Sequence, residues 1–156
     1  MMNKIEIFPG LFREIEKIVS VPGRNRTKLE KICRLIKDQL PGYDWVGFYL
    51  VSSDKERQLI LGPFAGEPTE HTLIAFGQGI CGQAAETEKT FIVDDVSRES
   101  NYLSCSLNVR SEIVVPLFKN GHLVGELDID SHTPAAFTRD DERFLERVGE
   151  IAAGLI

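Results

Sequence analysis

The stretch from Glu112 to Asp130 constrains the fold of this chain more than any other. Two runs of alternating residues, Glu112–Phe118 and His122–Asp130, flank Lys119-Asn120-Gly121. Alternation on both sides of a glycine turn reads as an antiparallel hairpin. Because the side-chain period of a strand is two, the register decides which residues share a face. A two-residue Asn-Gly turn alone would set Glu112 opposite Ile129 and mix polar with apolar positions on both faces. A three-residue loop with Gly121 left-handed sets Glu112 opposite Asp128 and Val114 opposite Glu126. It also yields one continuous apolar face of Ile113, Val115, Leu117, Leu123, Leu127 and Ile129, and is the register the pattern favours. The opposite face then carries Glu112, Glu126, Asp128 and Asp130.

The rest of the chain supplies layers to cover such a hairpin. Residues 8–20 carry Leu11, Phe12, Ile15, Ile18 and Val19 at helical spacing until Val21-Pro22-Gly23 breaks the pattern. A second helix places Leu29, Ile32, Cys33, Ile36 and Leu40 on one face and stops at Pro41-Gly42. Cys33, inside that stripe, reads as a small core hydrophobe. From Tyr43 to Val51 the period becomes two, with Val46, Phe48 and Leu50 facing one way and Trp45, Gly47, Tyr49 and Val51 the other. Gln58–Gly62, Thr72–Phe76 and Phe91–Asp94 read as short strands, and Gly77–Ala85 as a glycine-rich turn opening a short helix. Ser97–Arg110 is a polar loop with room for a helical turn. Thr138 caps a last helix with Asp141 at its third position and a stripe of Phe144, Leu145, Val148, Ile151, Ala152 and Leu155. Helices at both ends of about six mostly antiparallel strands predict an α+β fold.

Composition narrows the function classes. The 156 residues, 42% hydrophobic and 27% charged, suit one globular domain spanning 1–156. A net charge of −6 with no basic stripe argues against nucleic acid or a membrane surface as partner. No apolar run approaches the ~20 residues that span a bilayer, and the N-terminus lacks a signal-peptide layout. Three cysteines without a C-x-x-C pair make no disulfide framework and point to a reducing cytoplasm. His71, His122 and His132 are scattered, so neither a dedicated metal site nor a cofactor is expected.

Three features could carry chemistry. The carboxylate face is either a solvated outer face or a pocket for a cation or ammonium group, since like charges placed side by side cost stability without a ligand. Mutual repulsion would also raise one carboxyl pKa and make a general acid available near neutral pH. Trp45 and Tyr49 on a neighbouring strand strengthen the pocket reading. The turn from Gly77 to Gly82 is either structural or an anion site at a helix N-terminus, with the Cys81 thiol at that terminus. Cys105 lies in a polar loop near Arg110 and is either a reactive thiol or an accidental surface cysteine.

The strings Trp45-Val-Gly-Phe-Tyr49, Leu61-Gly-Pro-Phe-Ala-Gly66, Gly77-x-Gly-x-Cys-Gly82, Ser111-Glu-Ile-Val-Val-Pro116 and Gly125-Glu-Leu-Asp-Ile-Asp-Ser131 resemble the GAF-domain free methionine-(R)-sulfoxide reductases. The resemblance covers about residues 43 to 148. It implies a GAF-like fold, with terminal helices on one sheet face and a ligand pocket on the other. It also implies reduction of free L-methionine-(R)-sulfoxide through a sulfenic acid and a disulfide. By resemblance, Cys105 is the reducing cysteine and Cys81 its partner. Glu112, Asp128 and Asp130 hold the substrate's ammonium group, a carboxyl such as Asp130 supplies a proton, and Trp45 and Tyr49 line the pocket. The implied reductant is thioredoxin-like or a small thiol, and the family often forms dimers. The chain departs from the pattern in having His71 where a further family cysteine falls, and Glu126 where an apolar residue is usual. The alternative reading is a GAF module that binds a small molecule without catalysis.

Overall fold

Asn3 begins the first helix earlier than the residue-8 start that its apolar stripe suggests. In the computed structural model, which describes residues 2–103 and 108–156, α1 spans Lys4–Ser20. The Asn3 side chain accepts from the Ile5 N–H at 3.2 Å, and Glu6 Oε2 accepts from the Asn3 N–H at 2.9 Å. This reciprocal cap satisfies donors that a helix start leaves open. The helix runs on through Pro9, whose ring lacks an N–H and so leaves one helical hydrogen bond unmade. Phe8 stacks on Phe144 with ring centroids 4.4 Å apart, so this first stretch of α1 is also pinned by the C-terminal helix. The second helix, α2, spans Asn25–Gln39 and buries Leu29, Ile32, Cys33 and Ile36, as the stripe predicts.

The strands are β1 (Trp45–Val51), β2 (Gln58–Ala65), β3 (Leu73–Ala75), β4 (Phe91–Val93), β5 (Ser111–Lys119) and β6 (His122–Ser131). They form one sheet in the order β3-β2-β1-β6-β5-β4, every neighbouring pair antiparallel. The strand β2 runs past Gly62 to Ala65 because its register with β1 slips beside Pro63. A residue without an N–H is tolerated where the ladder is already interrupted. Helix α3 (Gly79–Thr87) follows the glycine turn, a 3₁₀ turn covers Val96–Arg98, and α4 spans Arg139–Ala153.

The β5–β6 hairpin corrects the expected register. Lys119 pairs with His122, and Asn120 (φ 54°) and Gly121 (φ 78°) are both left-handed, so the turn has two residues and not three. This is the backbone that an Asn-Gly pair favours. The extra residue sits further up, where Leu117 pairs with Gly125 and Phe118 with Leu123, leaving Val124 as a bulge. Glu112 therefore faces Asp130, and Asp128 faces Val114. The bulge restores the two-faced pattern that an uninterrupted two-residue turn would have destroyed. It moves Leu123 off the helix-side face, where Val124 takes its place.

The sheet's two faces meet different layers. On one, Val46, Phe48, Ile113, Val115, Leu127 and Ile129 pack under α1, α2 and α4. Asp141 anchors this layer from within α4. Its carboxylate accepts from Lys4 Nζ at 2.9 Å, from the Tyr43 hydroxyl at 2.5 Å and from the Thr138 N–H at 2.8 Å. Cys33 is fully buried here, with its thiol 3.5 Å from the Pro63 carbonyl oxygen, and burial pushes its pKa far up. It is an inert core residue. The other face carries Trp45 and Tyr49, covered by α3 and its flanking loops. No helix among the described residues is long and apolar enough to cross a membrane.

Candidate active site beneath the third helix

Alternation along β1, β6 and β5 projects three short rows onto the α3 side of the sheet. Cross-strand pairing sets Trp45 beside Asp130, Gly47 beside Asp128, and Tyr49 beside Glu126. On the next strand Glu112 lies beside Asp130. The four carboxylates predicted from the hairpin thus share one face, and it is not a solvated one. Glu112 is 3% exposed, Glu126 and Asp128 0%, and Asp130 1%. Ionised carboxylates are rarely this buried without a basic partner. Among the described residues no basic or backbone donor reaches either oxygen of Glu126 or Asp128, whose hydrogen bonding is confined to Cys81 and, for Asp128, Glu112.

The electrostatic consequence has one direction at Glu112, Glu126 and Asp128. Burial raises the Glu112 carboxyl well above the usual range, and the Asp128 and Asp130 charges push it further. Burial and then Asp128 do the same to Glu126. Asp128 is also raised by burial, with hydrogen bonding from Glu112 and Cys81 opposing the shift. Carboxyls raised in this way hold their protons to higher pH than exposed carboxyls do.

A narrow cavity of about 10 Å³ opens over this face, lined by Tyr49, His71, Ile74, Gln78–Cys81, Leu103, Glu112 and Asp128. Cys81 sits in the first turn of α3, 5% exposed, with Sγ 3.9 Å from Glu112 Oε1. The glycine turn that positions it is held by Asn101, whose side chain accepts from the Gly79 N–H at 2.9 Å and donates to the Gly77 carbonyl at 2.7 Å. The Gly79 N–H is therefore engaged within the protein, which narrows the anion site expected at this helix terminus. The thiol points at the carboxylate face of the sheet.

The aromatic residues occupy different positions. Tyr49 lines the cavity, and its hydroxyl donates to the His71 carbonyl at 2.8 Å. Trp45 leans over Gly47 and stacks on Phe64 at 5.4 Å, with its indole N–H donating to the Glu67 carbonyl at 2.9 Å. A Cβ at position 47 would lie 2.3 Å from Trp45 Cη2, so the space left by that glycine is filled by the indole itself. Trp45 stands beside Tyr49, with centroids 6.3 Å apart, and is not among the residues lining the cavity. Asp130 and Glu126 share the carboxylate face but also lie outside the cavity's lining. Cys105 lies outside the described residues.

His71 is the lining residue that the pattern of residues did not announce as such. It registers in the sequence only as the substitute for a cysteine. Its place over the site depends on the β1–β2–β3 meander, which brings it back to Tyr49.

Comparison with known proteins gives this geometry a family. A GAF domain model matches residues 25–156. The free methionine-R-sulfoxide reductase of Saccharomyces cerevisiae is 40% identical, over 96% of this chain and 86% of that protein. The protein of the same name from Escherichia coli is 32% identical, over 94% of this chain and 87% of that one. The structure of the Neisseria meningitidis free methionine-R-sulfoxide reductase in complex with its substrate superposes with a TM-score of 0.92 at 35% identity, covering 99% of this chain and 91% of that one. With the GAF architecture matched nearly end to end by these proteins, the chain belongs to the GAF-domain free methionine-R-sulfoxide reductase family.

Proposed function

We propose that this protein reduces free L-methionine-(R)-sulfoxide to methionine. The observation that carries the reading is the shared cavity of Cys81, Glu112 and Asp128, in which a thiol faces buried carboxyls whose pKa burial raises. Such carboxyls receive an ammonium group as their missing counter-charge, with Asp130 adding to the field beside Glu112. A methionine residue inside a protein has no such ammonium, so this recognition selects the free amino acid. Tyr49 supplies the wall for the methyl-sulfoxide end, and Trp45, packed beside it outside the lining, backs that wall.

In the proposed reaction the Cys105 thiolate attacks the sulfoxide sulfur. A neutral carboxyl of the cluster, with Asp130 one candidate, gives a proton to the oxygen. With a second proton from solvent the oxygen leaves as water while the bond between the Cys105 and substrate sulfurs forms. Water then attacks the Cys105 sulfur, that S–S bond breaks, methionine leaves and Cys105 becomes a sulfenic acid, so that the sulfoxide is reduced by two electrons and the thiol oxidised by two. The Cys81 thiol then attacks the sulfenic acid, releasing water and forming a Cys81–Cys105 disulfide. A thioredoxin-like dithiol or a small thiol reduces that disulfide by exchange. Disulfide formation requires the two Cα atoms to come within about 7 Å. With His71 in place of a further cysteine, Cys81 is the resolving thiol outside the helical core.

A reductant-coupled turnover assay tests the reading by comparing the free R sulfoxide, the free S sulfoxide and a peptide-bound sulfoxide. Turnover confined to the free R form is expected, and it should vanish in Cys105→Ser while ligand affinity stays. Binding of the free sulfoxide without turnover under any thiol reductant would instead establish a non-catalytic GAF sensor.

A further inference from the structure

Cys81, Glu112 and Asp128 meet more closely than ammonium recognition requires. The cysteine sulfur and one oxygen from each carboxylate all lie within 4.8 Å of one another. The three residues are 5%, 3% and 0% exposed. Among the described residues, no group outside the trio donates to either Asp128 oxygen or to Glu112 Oε2, and both side chains line the cavity. These buried oxygens and the thiol converge on one point.

The donor set has a definite preference. Magnesium and calcium take oxygen ligands, whereas a sulfur beside two carboxylate oxygens suits a borderline-soft ion of the zinc class. Zinc with bonds of about 2.3 Å to sulfur and 2.0–2.2 Å to oxygen needs ligand atoms about 3.3–3.6 Å apart. The observed 3.9 Å between Cys81 Sγ and Glu112 Oε1 is close to that spacing. Three protein ligands leave a fourth position open towards the cavity.

We propose that Cys81, Glu112 and Asp128 bind a thiophilic divalent cation such as Zn²⁺, and that the bound ion blocks the reductase by occupying the place of the substrate's ammonium group. Binding exchanges protons for the ion. The Cys81 thiol proton, and any proton on the two carboxyls, leaves to solvent, with no change in oxidation state. The bound thiolate is also withdrawn from disulfide formation. The blocking half rests on the proposed substrate site, whereas the binding half stands on the three ligands alone.

Cadmium is the probe, because its bond to a thiolate gives an ultraviolet charge-transfer band. The full reduced chain is titrated with Cd²⁺ under anaerobic conditions, with circular dichroism verifying the fold of each variant. One equivalent should produce the band in the wild type and equally in Cys105→Ser. Cys81→Ala should abolish it, and Asp128→Asn should weaken binding by roughly tenfold or more. Zn²⁺ should displace Cd²⁺, and excess Mg²⁺ should not. A band that survives Cys81→Ala, or an affinity unchanged in Asp128→Asn, overturns the site. Free methionine sulfoxide should raise the apparent Kd for Cd²⁺. Cadmium bound through these ligands with no such competition would overturn the blocking role and the substrate placement, leaving the cation site itself intact.

Discussion

The two faces of the β1–β6–β5 core use the same backbone for opposite ends. Towards α1, α2 and α4, Val46, Phe48, Ile113, Val115, Leu127 and Ile129 form a close-packed apolar layer. One residue further along each strand, Trp45, Tyr49, Glu112, Glu126, Asp128 and Asp130 point to the α3 side. Both faces are buried, so exposure does not distinguish them. What distinguishes them is whether burial lowers or raises the free energy of the side chain. Each apolar residue gains by leaving water, while Glu112, Glu126 and Asp128 lose hydration that raises the cost of their charged forms. The helix side therefore holds the fold together, and the α3 side spends part of that stability on a poised site.

Substitutions on either face test this contrast. The largest effect should come from moving a carboxylate across the sheet. Ile129→Asp places a charge among apolar side chains with no partner and should cost more than about 4 kcal/mol, enough to abolish the cooperative thermal transition. Truncation on the same face is next: Leu127→Ala should lose about 2–5 kcal/mol in urea unfolding through the cavity that it leaves. Its neighbour Asp128→Asn, equally buried, should lose far less, and equal losses at the two positions would erase the distinction.

How much of this was legible from the residues follows from which forces are local. Both stripes of α2 and α4 and the alternation of β1 are local patterns, and the structure follows them. The alternation assigns every hairpin face correctly except at Leu123, which the bulge exchanges with Val124, and it gives the wrong turn length. The bulge at Val124 answers a conflict between the preference of Asn120-Gly121 and the burial of residues several positions away, and neither local pattern contains it. The carboxylate cluster was visible as alternation, but its burial was not, because α3 covers it from a distant part of the chain. His71 reaches the cavity through two strand pairings, and Trp45 turns away from it because Gly47 and Phe64 offer it a niche. These placements are tertiary and leave little trace in a linear pattern.

Two smaller effects probe each face separately. Cys33→Ser puts an unsatisfied hydroxyl into the helix-side core and should cost about 1–3 kcal/mol while leaving turnover intact. On the other face, Glu126→Gln tests the raised carboxyl through pH. A carboxyl with a folded pKa above its unfolded value of about 4.3 stabilises the fold fully below that value. That contribution is lost as pH rises through the folded pKa. Burial and Asp128 raise Glu126, so wild-type stability should fall as pH climbs above the unfolded carboxyl range. Glu126→Gln cannot ionise and should flatten that fall, gaining about 1.4 kcal/mol relative to wild type for each unit of the shift. Parallel stability profiles of wild type and variant from acid to neutral pH would show that Glu126 is not strained by its burial.

The central claim is that the α3 face recognises a free amino acid by its ammonium group. Calorimetric titration of Asp128→Asn and Glu112→Gln, each against free methionine sulfoxide and its desamino analogue, measures this directly. Both substitutions keep size and remove charge. The account predicts that each variant binds the free sulfoxide much more weakly than wild type does, while the analogue, which lacks the ammonium, binds wild type and variants alike. Equal losses for the two ligands would contradict it and move ammonium recognition away from Glu112 and Asp128.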